Sequence, residues 1–246
     1  MLNYKEIKKN IDNVGFHEIQ NFFSDEKILQ LKKFVDEKLV ENNNEYFFLT
    51  SETNENNLLR NENFFKEIEN ILKNLVLEFD LKINNEEKLY KVLRVVTGKK
   101  TNKVSLNYHF DAHLLTLLIP IYIPTRVNSD NGNLIIYKNL RQLHNNLLVN
   151  IFQKFFFQSY FFKKILDFNF FKKIFEKKLL YLNPKNIYIF NGFRTLHANL
   201  NIDPNDVRAT ILVHYHDIFY NSYLVKKNRQ HRIKREIKNI HNNKQK

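Results

Sequence analysis

The stretch NYHFDAHLLTLLIPIYIP, residues 107–124, is the part of the sequence that says most about the fold and about a functional site. It places His109, Asp111 and His113 at alternate positions directly before a long apolar run. Alternate side chains of a β-strand point to the same face, so the spacing predicts three metal-competent side chains on one side of one strand. Such groups are costly in an apolar core and useful in a site. The stretch therefore predicts a buried strand with a functional site at its beginning.

Short β-rich runs surround this stretch on both sides. They are KLYKVLRVVTG at 88–98, GNLIIYK at 132–138, NIYIFNG at 186–192 and RATILVHYH at 208–216. Breaks between the runs coincide with Gly98, Gly132 and Gly192, two of which belong to Asn-Gly pairs that suit tight turns. The pattern is typical of an antiparallel sandwich or barrel.

Helices are predicted ahead of the β-rich region and within it. Apolar residues recur at helical spacing after Ser24, which suits a helix N-cap, and again over residues 62–77. Residues 141–180 also have helical spacing and form a predicted insertion between strands. The order of these elements predicts a mainly β protein with N-terminal helices and a helical insertion.

The insertion is rich in phenylalanine, because residues 152–175 hold ten of the 23 phenylalanines in the chain. We predict a helical lid whose aromatic face packs on the barrel. An apolar substrate channel or an interfacial membrane helix is the alternative interpretation. The insertion lies between the two halves of the predicted site, so we expect it to choose the substrate.

Length and charge predict one domain over residues 1–225 and a basic tail over 226–246. A chain of 246 residues is long enough for one sizeable core, and two domains would each be small. The tail holds nine Lys/Arg and one Glu, so it carries +8 of the formal net charge of +13 and leaves +5 for the rest. It is the candidate binding segment for an anionic partner such as a membrane surface, a phosphorylated substrate or nucleic acid. No specific nucleic-acid motif accompanies it.

Targeting signals are not evident in the sequence. The N-terminal residues MLNYKEIKKNIDNV lack the basic start and apolar segment of a secretory signal. The longest near-apolar run, at 114–124, has 11 residues, whereas a transmembrane helix needs about 20. The chain also has no cysteine, so we predict a cytoplasmic protein.

Any metal in this chain has to be held by histidine and carboxylate, because thiolate ligands are absent. Two histidines and one carboxylate with open positions form the facial triad of non-haem Fe(II) oxygenases. His109 and Asp111 supply the first half of such a triad, and His197 is the candidate third ligand from a later run. Arg208 follows eleven residues after His197, and Thr210 shares its strand face.

Three further histidines keep alternatives open. His113 is either a metal ligand or a pocket-lining or buried, hydrogen-bonded histidine, and it shares the face of the triad only if its strand stays regular past Asp111. His214 and His216 also alternate and offer a cupin-like His-x-His site. That alternative leaves Asp111 and Arg208 without a role.

The order of these motifs resembles the Fe(II)/2-oxoglutarate-dependent dioxygenase superfamily, and most of all its phytanoyl-CoA dioxygenase-like branch. The shared order is His-x-Asp, a distal His, an Arg about ten residues later, and a strand that ends in Tyr. The segment GFHEIQNFFSDEKILQLKKFVDEKL at 15–39 is similar to the opening of that branch, a strand followed by a helix. GNLIIYKNLR at 132–141 resembles its glycine-turn strand, although Lys138 and Arg141 replace the usual Pro-Gly-Ser-His ending.

The resemblance implies a double-stranded β-helix, a jelly-roll or cupin-like barrel, and a set of site residues. It implies that iron is bound by His109, Asp111 and His197, and that 2-oxoglutarate is bound by Arg208, Thr210 and Thr116. With O2 these would oxidise a small-molecule, lipid-like or sugar-like substrate and release succinate and CO2. No catalytic residue beyond the metal ligands is implied. The alternative is an inactive barrel that binds an anionic or nucleic-acid partner.

Overall fold

Two antiparallel β-sheets form the centre of the protein. They are seen in a computed structural model that describes residues 2–52, 58–81, 87–101, 105–125, 131–167, 175–227 and 230–231. Most of the basic tail and residues 168–174 of the insertion lie outside the described residues, so the expectations for them stay predictions.

The strands in chain order are β1 (Phe16–Ile19), β2 (Phe47–Thr50), β3 (Tyr90–Val96), β4 (His113–Tyr122), β5 (Leu134–Tyr137), β6 (Lys177–Leu180), β7 (Ile187–Asn191), β8 (Leu196–Asn199) and β9 (Arg208–Asp217). The larger sheet has the order β1-β7-β4-β9-β3-β2, and the smaller sheet has the order β6-β5-β8. All described pairings are antiparallel. The predicted mainly β architecture with N-terminal helices is therefore confirmed.

Strand β4 is apolar over most of its length because both of its faces are covered. Its Leu117 and Ile119 belong to a core shared with the N-terminal helices, whereas Leu118 packs with Leu134 and Ile136 of the smaller sheet. The alternation follows from the two-residue period of a strand. The space between the two sheets is therefore the interior into which the inward side chains of β4 and β9 project.

Helices α1 (Tyr4–Val14), α2 (Asp25–Glu41) and α3 (Glu62–Glu78) cover the outer face of the larger sheet. The hydroxyl of Ser24 accepts the N–H of Lys27 at 3.3 Å, as expected for the N-cap of α2. The Asn61 side chain accepts the N–H of Phe64 in the same way at the start of α3. None of the helices within the described ranges is long and apolar enough to span a membrane.

The insertion contains α4 (Leu147–Gln158) and α5 (Tyr160–Asp167), which agrees with its helical spacing. Its predicted end at residue 180 was wrong, because Lys177–Leu180 forms β6 and pairs with β5. In this strand only Leu180 is fully buried, so the segment gives little of the apolar alternation by which a strand is recognised. Residues 177–180 form a strand because they pair with β5, and this contact cannot be read from the local sequence pattern.

Removal of residues 226–246 is expected to leave the fold and its thermal stability nearly unchanged. The last large buried apolar side chain before the tail is Phe219, and Tyr223 and Leu224 beyond it are 74% and 57% exposed. Circular dichroism with thermal unfolding checks the truncated chain against the full one. Loss of binding to an anionic partner, sensitive to salt, is the effect we expect of the truncation. A truncated chain that failed to fold would contradict this view of the tail.

Candidate metal centre

The segment before β4 follows a different path from the one that the sequence predicted. His109 forms a single antiparallel bridge with His197 of β8, with N–H···O distances of 3.0 and 3.1 Å. The Asp111 N–H donates to the carbonyl of Gly192 at 2.9 Å, and β4 begins only at His113. The prediction that His109, Asp111 and His113 share one regular strand was therefore wrong. The chain leaves the edge of the smaller sheet and enters the larger sheet within these few residues.

The predicted triad side chains nevertheless converge. The potential ligand atoms of His109, Asp111 and His197 all lie within 4.8 Å of one another. Nε2 of His109 lies 3.8 Å from Oδ1 of Asp111, and Nε2 of His197 lies 3.6 Å from its Oδ2. Two imidazoles and one carboxylate at this spacing suit an iron of the facial-triad type with open positions.

Both triad histidines are held in the orientation that metal ligation requires. Nδ1 of His109 lies 2.8 Å from the carbonyl of Asn107, and Nδ1 of His197 lies 3.0 Å from the carbonyl of Thr195. A carbonyl only accepts, so each Nδ1 carries the proton and each Nε2 offers its lone pair. Burial, followed by the neighbouring His197 ring, lowers the pKa of His109 to about 4, so this ring is neutral at pH 7.

The third ligand is a buried carboxylate with its own support. Burial alone raises the pKa of Asp111, but the His197, His214 and His109 rings and the Thr116 hydroxyl outweigh it and hold this pKa below its ordinary value. The Thr116 hydroxyl donates to Oδ2 of Asp111 at 2.5 Å. Asp111 is therefore an anion poised for a cation.

Thr116 was predicted to bind the cosubstrate, and in the structure its hydroxyl lies beside the Asp111 carboxylate. Its Oγ1 lies against Asp111 and 3.0 Å from Nδ1 of His214, and it is absent from the residues that line the cavity described below. A Cβ added at Gly192 would lie less than 3.0 Å from both the Thr116 hydroxyl and the Asp111 carboxylate. Glycine is thus required at this position by close approach.

Thr116→Val is expected to weaken Fe(II) or Mn(II) binding about 10- to 100-fold, since outer-sphere partners of ligands typically contribute that much. Valine keeps the volume and removes the hydrogen bond that orients Asp111. Thr116→Ser keeps the hydroxyl and serves as the matched control, with near-parental affinity expected. Titration of Mn(II) by electron paramagnetic resonance measures both. Equal affinities for the valine and serine variants would contradict the role of the hydroxyl.

A cavity between the two sheets connects the histidines with the predicted cosubstrate residues. It is lined by Arg94, His109, Leu118, Leu134, Phe190, His197, Asn199, Arg208, Thr210 and Leu212. The side chains come from β3, β4, β5, β7, β8 and β9, on their inward faces. Its walls are apolar apart from the histidines at the metal site and the polar group around Arg208.

Arg208 is 1% exposed, so its hydrogen-bond partners can be counted. Nε donates to the carbonyl of Gly132 at 2.6 Å, and Nη1 donates to Oγ1 of Thr210 at 3.2 Å. Within the described part of the chain Nη2 has no partner. A buried guanidinium with an unused donor that borders a cavity is suited to a carboxylate.

A second guanidinium near Arg208 was missed by sequence reasoning. Burial, and then the nearby Arg94, lower the pKa of Arg208 to about 9, so it keeps its charge at pH 7. Arg94 lies directly opposite Thr210 in the register of β3 and β9 and lines the same cavity. The sequence could have indicated Arg94, because it is a cation between the apolar residues Leu93 and Val95 of a predicted strand. Leu93 and Val95 are buried on one face of that strand, and Arg94 lies on the other. Two cations thus border the cavity and favour an anion inside it.

The remaining histidines do not form the alternative metal site. His113 and His214 stack on one another with ring centroids 5.3 Å apart, and each also stacks on Tyr90 at 5.9 Å. His113 is thus a buried, packed histidine beside the site. Among the described residues neither His214 nor His216 belongs to a converging group of three metal-competent side chains.

Arg141 connects the metal-binding segment to the insertion. Its guanidinium lies between the Phe110 and Phe193 rings, 4.3 and 3.7 Å from their centroids. Nη1 donates to Oδ1 of Asn150 in α4 at 2.6 Å, and Nη2 to the carbonyl of Asp111 at 3.4 Å. Burial lowers the pKa of Arg141 to about 9, with Asp111 opposing the shift.

Comparison with solved structures establishes the fold of this chain. No protein-family model matches the sequence, and no curated protein matches it. A Pseudomonas putida prolyl-4-hydroxylase aligns with 87% of this chain and 98% of its own, with a TM-score of 0.56 and 7% identity. A Phytophthora capsici prolyl 4-hydroxylase aligns over 89% and 64%, with a TM-score of 0.56 and 14% identity.

A third structure is a Trichoplax adhaerens prolyl hydroxylase, solved with a peptide of hypoxia inducible factor. It aligns over 87% of this chain and 89% of its own, with a TM-score of 0.52 and 11% identity. At these identities the likeness establishes the fold. The protein therefore has the double-stranded β-helix, or jelly-roll, fold of these hydroxylases, and the predicted fold class is confirmed.

Proposed function

We propose that this chain is an Fe(II)- and 2-oxoglutarate-dependent dioxygenase. The observation that carries the proposal is one cavity lined both by His109 and His197 and by the buried Arg208, whose Nη2 has no partner within the described residues. The cavity thus has a site for a cation beside a site for a carboxylate. This pairing matches a metal together with a dicarboxylate cosubstrate.

Each residue has a separate task in this proposal. His109, Asp111 and His197 hold iron, and Arg208 with Thr210 holds the distal carboxylate of 2-oxoglutarate. Iron held there would supply the oxidation of a substrate C–H bond by O2, coupled to the conversion of 2-oxoglutarate into succinate and CO2. The apolar walls formed by Leu118 and Leu212 exclude water and keep the guanidinium field strong.

We also propose a class of substrate. The resemblance to the phytanoyl-CoA dioxygenase-like branch favours a small-molecule, lipid-like or sugar-like substrate that becomes hydroxylated. Two of the similar structures are named prolyl 4-hydroxylases, so a proline-containing peptide is the class to test beside it. The inactive barrel that binds an anionic or nucleic-acid partner is the rival function. It is disfavoured because the metal-competent triad is complete.

Turnover is expected to be measurable as succinate release. The protein is loaded anaerobically with Fe(II) and 2-oxoglutarate and then exposed to O2 with a library of metabolites, lipids and prolyl peptides. One substrate class should raise succinate above the uncoupled background, and Asp111→Ala should abolish the signal. A protein that binds both metal and 2-oxoglutarate but releases no succinate with or without substrate would favour the rival binding function.

A further inference from the structure

The insertion helix α4 presents an apolar face to solvent. We define the apolar stripe as Leu148, Ile151, Phe152, Phe155 and Phe156, which recur at helical spacing along one side of α4. Their exposed fractions are 77%, 41%, 73%, 78% and 45%, and Phe161 of α5 adds another ring that is 67% exposed. A contiguous patch of this kind usually marks an interaction surface.

The opposite side of α4 packs against the rest of the protein, so the stripe is exposed on a helix whose position is fixed. Asn150 is buried, and its Oδ1 accepts a hydrogen bond from Nη1 of Arg141 at 2.6 Å. Phe157 packs edge-on against Phe110 at 5.7 Å and against Phe162 at 4.8 Å. The helix is therefore fixed to the metal-binding segment by one face while the other faces outward.

Basic residues lie near the stripe in the sequence. Helix α5 carries Lys163 and Lys164 beside a single acid, Asp167, and residues 226–246 carry a net charge of +8. The basic tail also starts nearby, because Phe219 packs against Phe193 at 6.1 Å and lies 6.5 Å from His144 in the loop before α4. An apolar face and a polybasic segment are the two signals that together give stable membrane binding.

The stripe alone would also suit a second copy of this chain or an apolar groove of another protein, because interface cores are apolar and rich in aromatic residues. Neither occupant accounts for the net charge of +8 on the tail that follows, whereas an anionic membrane surface accounts for both features.

We infer that the apolar stripe of α4 docks the protein on an anionic membrane surface, with the rings of Phe152, Phe155 and Phe161 inserted at the level of the headgroups. The basic tail adds electrostatic attraction to the same surface. This inference does not depend on the cosubstrate assignment, because binding is measured on the protein without turnover.

A tryptophan reporter tests the stripe directly, because the chain has no tryptophan of its own. Phe155→Trp is expected to shift its emission to shorter wavelength when phosphatidylserine-containing phosphatidylcholine vesicles are added. Leu29→Trp on α2 is the control, because Leu29 is 67% exposed and lies outside the insertion. Its emission should not change. Vesicle binding without a shift at position 155 would assign binding to the tail and overturn the inference.

Loss variants provide an independent measurement. Phe152→Gln/Phe155→Gln is expected to weaken flotation with anionic vesicles about tenfold or more, whereas Leu29→Gln/Val40→Gln, of similar exposure, should change it less than about twofold. If the first pair fails to fold by circular dichroism, the tryptophan reporter decides alone. Equal binding to pure phosphatidylcholine vesicles would overturn the anionic preference. A parent dimer that the Phe pair converts to monomer would identify a second copy as the occupant and overturn the inference.

Discussion

His109→Ala, Asp111→Ala and His197→Ala are each expected to abolish tight binding of Fe(II) or Mn(II), which the parent should bind as a single ion. A facial triad has no spare protein ligand, so removal of one leaves only two. The removed side chain also cannot be replaced from nearby, because Nδ1 of His214 already contacts the Thr116 hydroxyl at 3.0 Å. Equilibrium dialysis with elemental analysis measures the bound metal.

The control for these variants is His214→Ala, which removes a ring beside the triad without removing a ligand. Nδ1 of His214 lies 3.7 Å from Oδ2 of Asp111, so a moderate weakening is expected and not a complete loss. If all three triad variants bound metal like the parent while His214→Ala did not, the site would have to be moved to the His-x-His pair. Circular dichroism of every variant shows whether loss of metal is loss of fold.

Arg208→Ala is expected to reduce the affinity for 2-oxoglutarate by hundreds to thousands of times and to leave metal binding nearly intact. A buried charge whose partner is removed costs on the order of 3–5 kcal/mol, and about 1.4 kcal/mol corresponds to a tenfold change in affinity. The effect is large because Arg208 is buried and its Nη2 is left for the ligand. Titration of 2-oxoglutarate into the Mn(II)-loaded variant measures the loss.

Two further arginine variants sharpen this experiment. Arg208→Lys should restore only part of the affinity, because an ammonium keeps the charge but loses the planar pair of donors. Arg194→Ala should have little effect, since Nη1 of Arg194 bonds Asp12 at 3.3 Å and Nε bonds the carbonyl of Arg141 at 3.2 Å. Unchanged affinity in Arg208→Ala together with a large loss in Arg194→Ala would overturn the cosubstrate assignment.

The elements that the sequence predicted are those whose own pattern carries enough information. β3, β5, β7 and β9 and helices α2 and α3 have clear strand or helix periodicity, and each was found where it was expected. Strands β2, β6 and β8 were not predicted, and they are recognised in the structure by the neighbouring strands with which they pair. Helix α1 was also missed, although Ile7, Ile11 and Val14 recur at helical spacing and Asn3 caps its start.

The candidate site also contains residues that the sequence predicted and residues that it did not. His109, Asp111, His197 and Arg208 stood out because each belongs to a spaced motif, and the structure brings their side chains to one interior. The support around them was not predicted. Thr116 meets His214 across two strands, and such contacts leave no trace in local spacing. The assumption of one unbroken strand failed because the chain changes sheets between His109 and His113.

The backbone bridge between His109 and His197 has a consequence for folding. These residues are far apart in the sequence, so their pairing closes a large loop and is achieved only when both sheets have assembled. An unfolded or half-assembled chain offers a cation only scattered ligands. Metal bound at this centre is therefore linked to the native state, and it adds RT ln(1 + [metal]/Kd) to the free energy of unfolding. At a hundredfold excess over Kd this amounts to about 2.7 kcal/mol, a sizeable fraction of the stability of a typical domain.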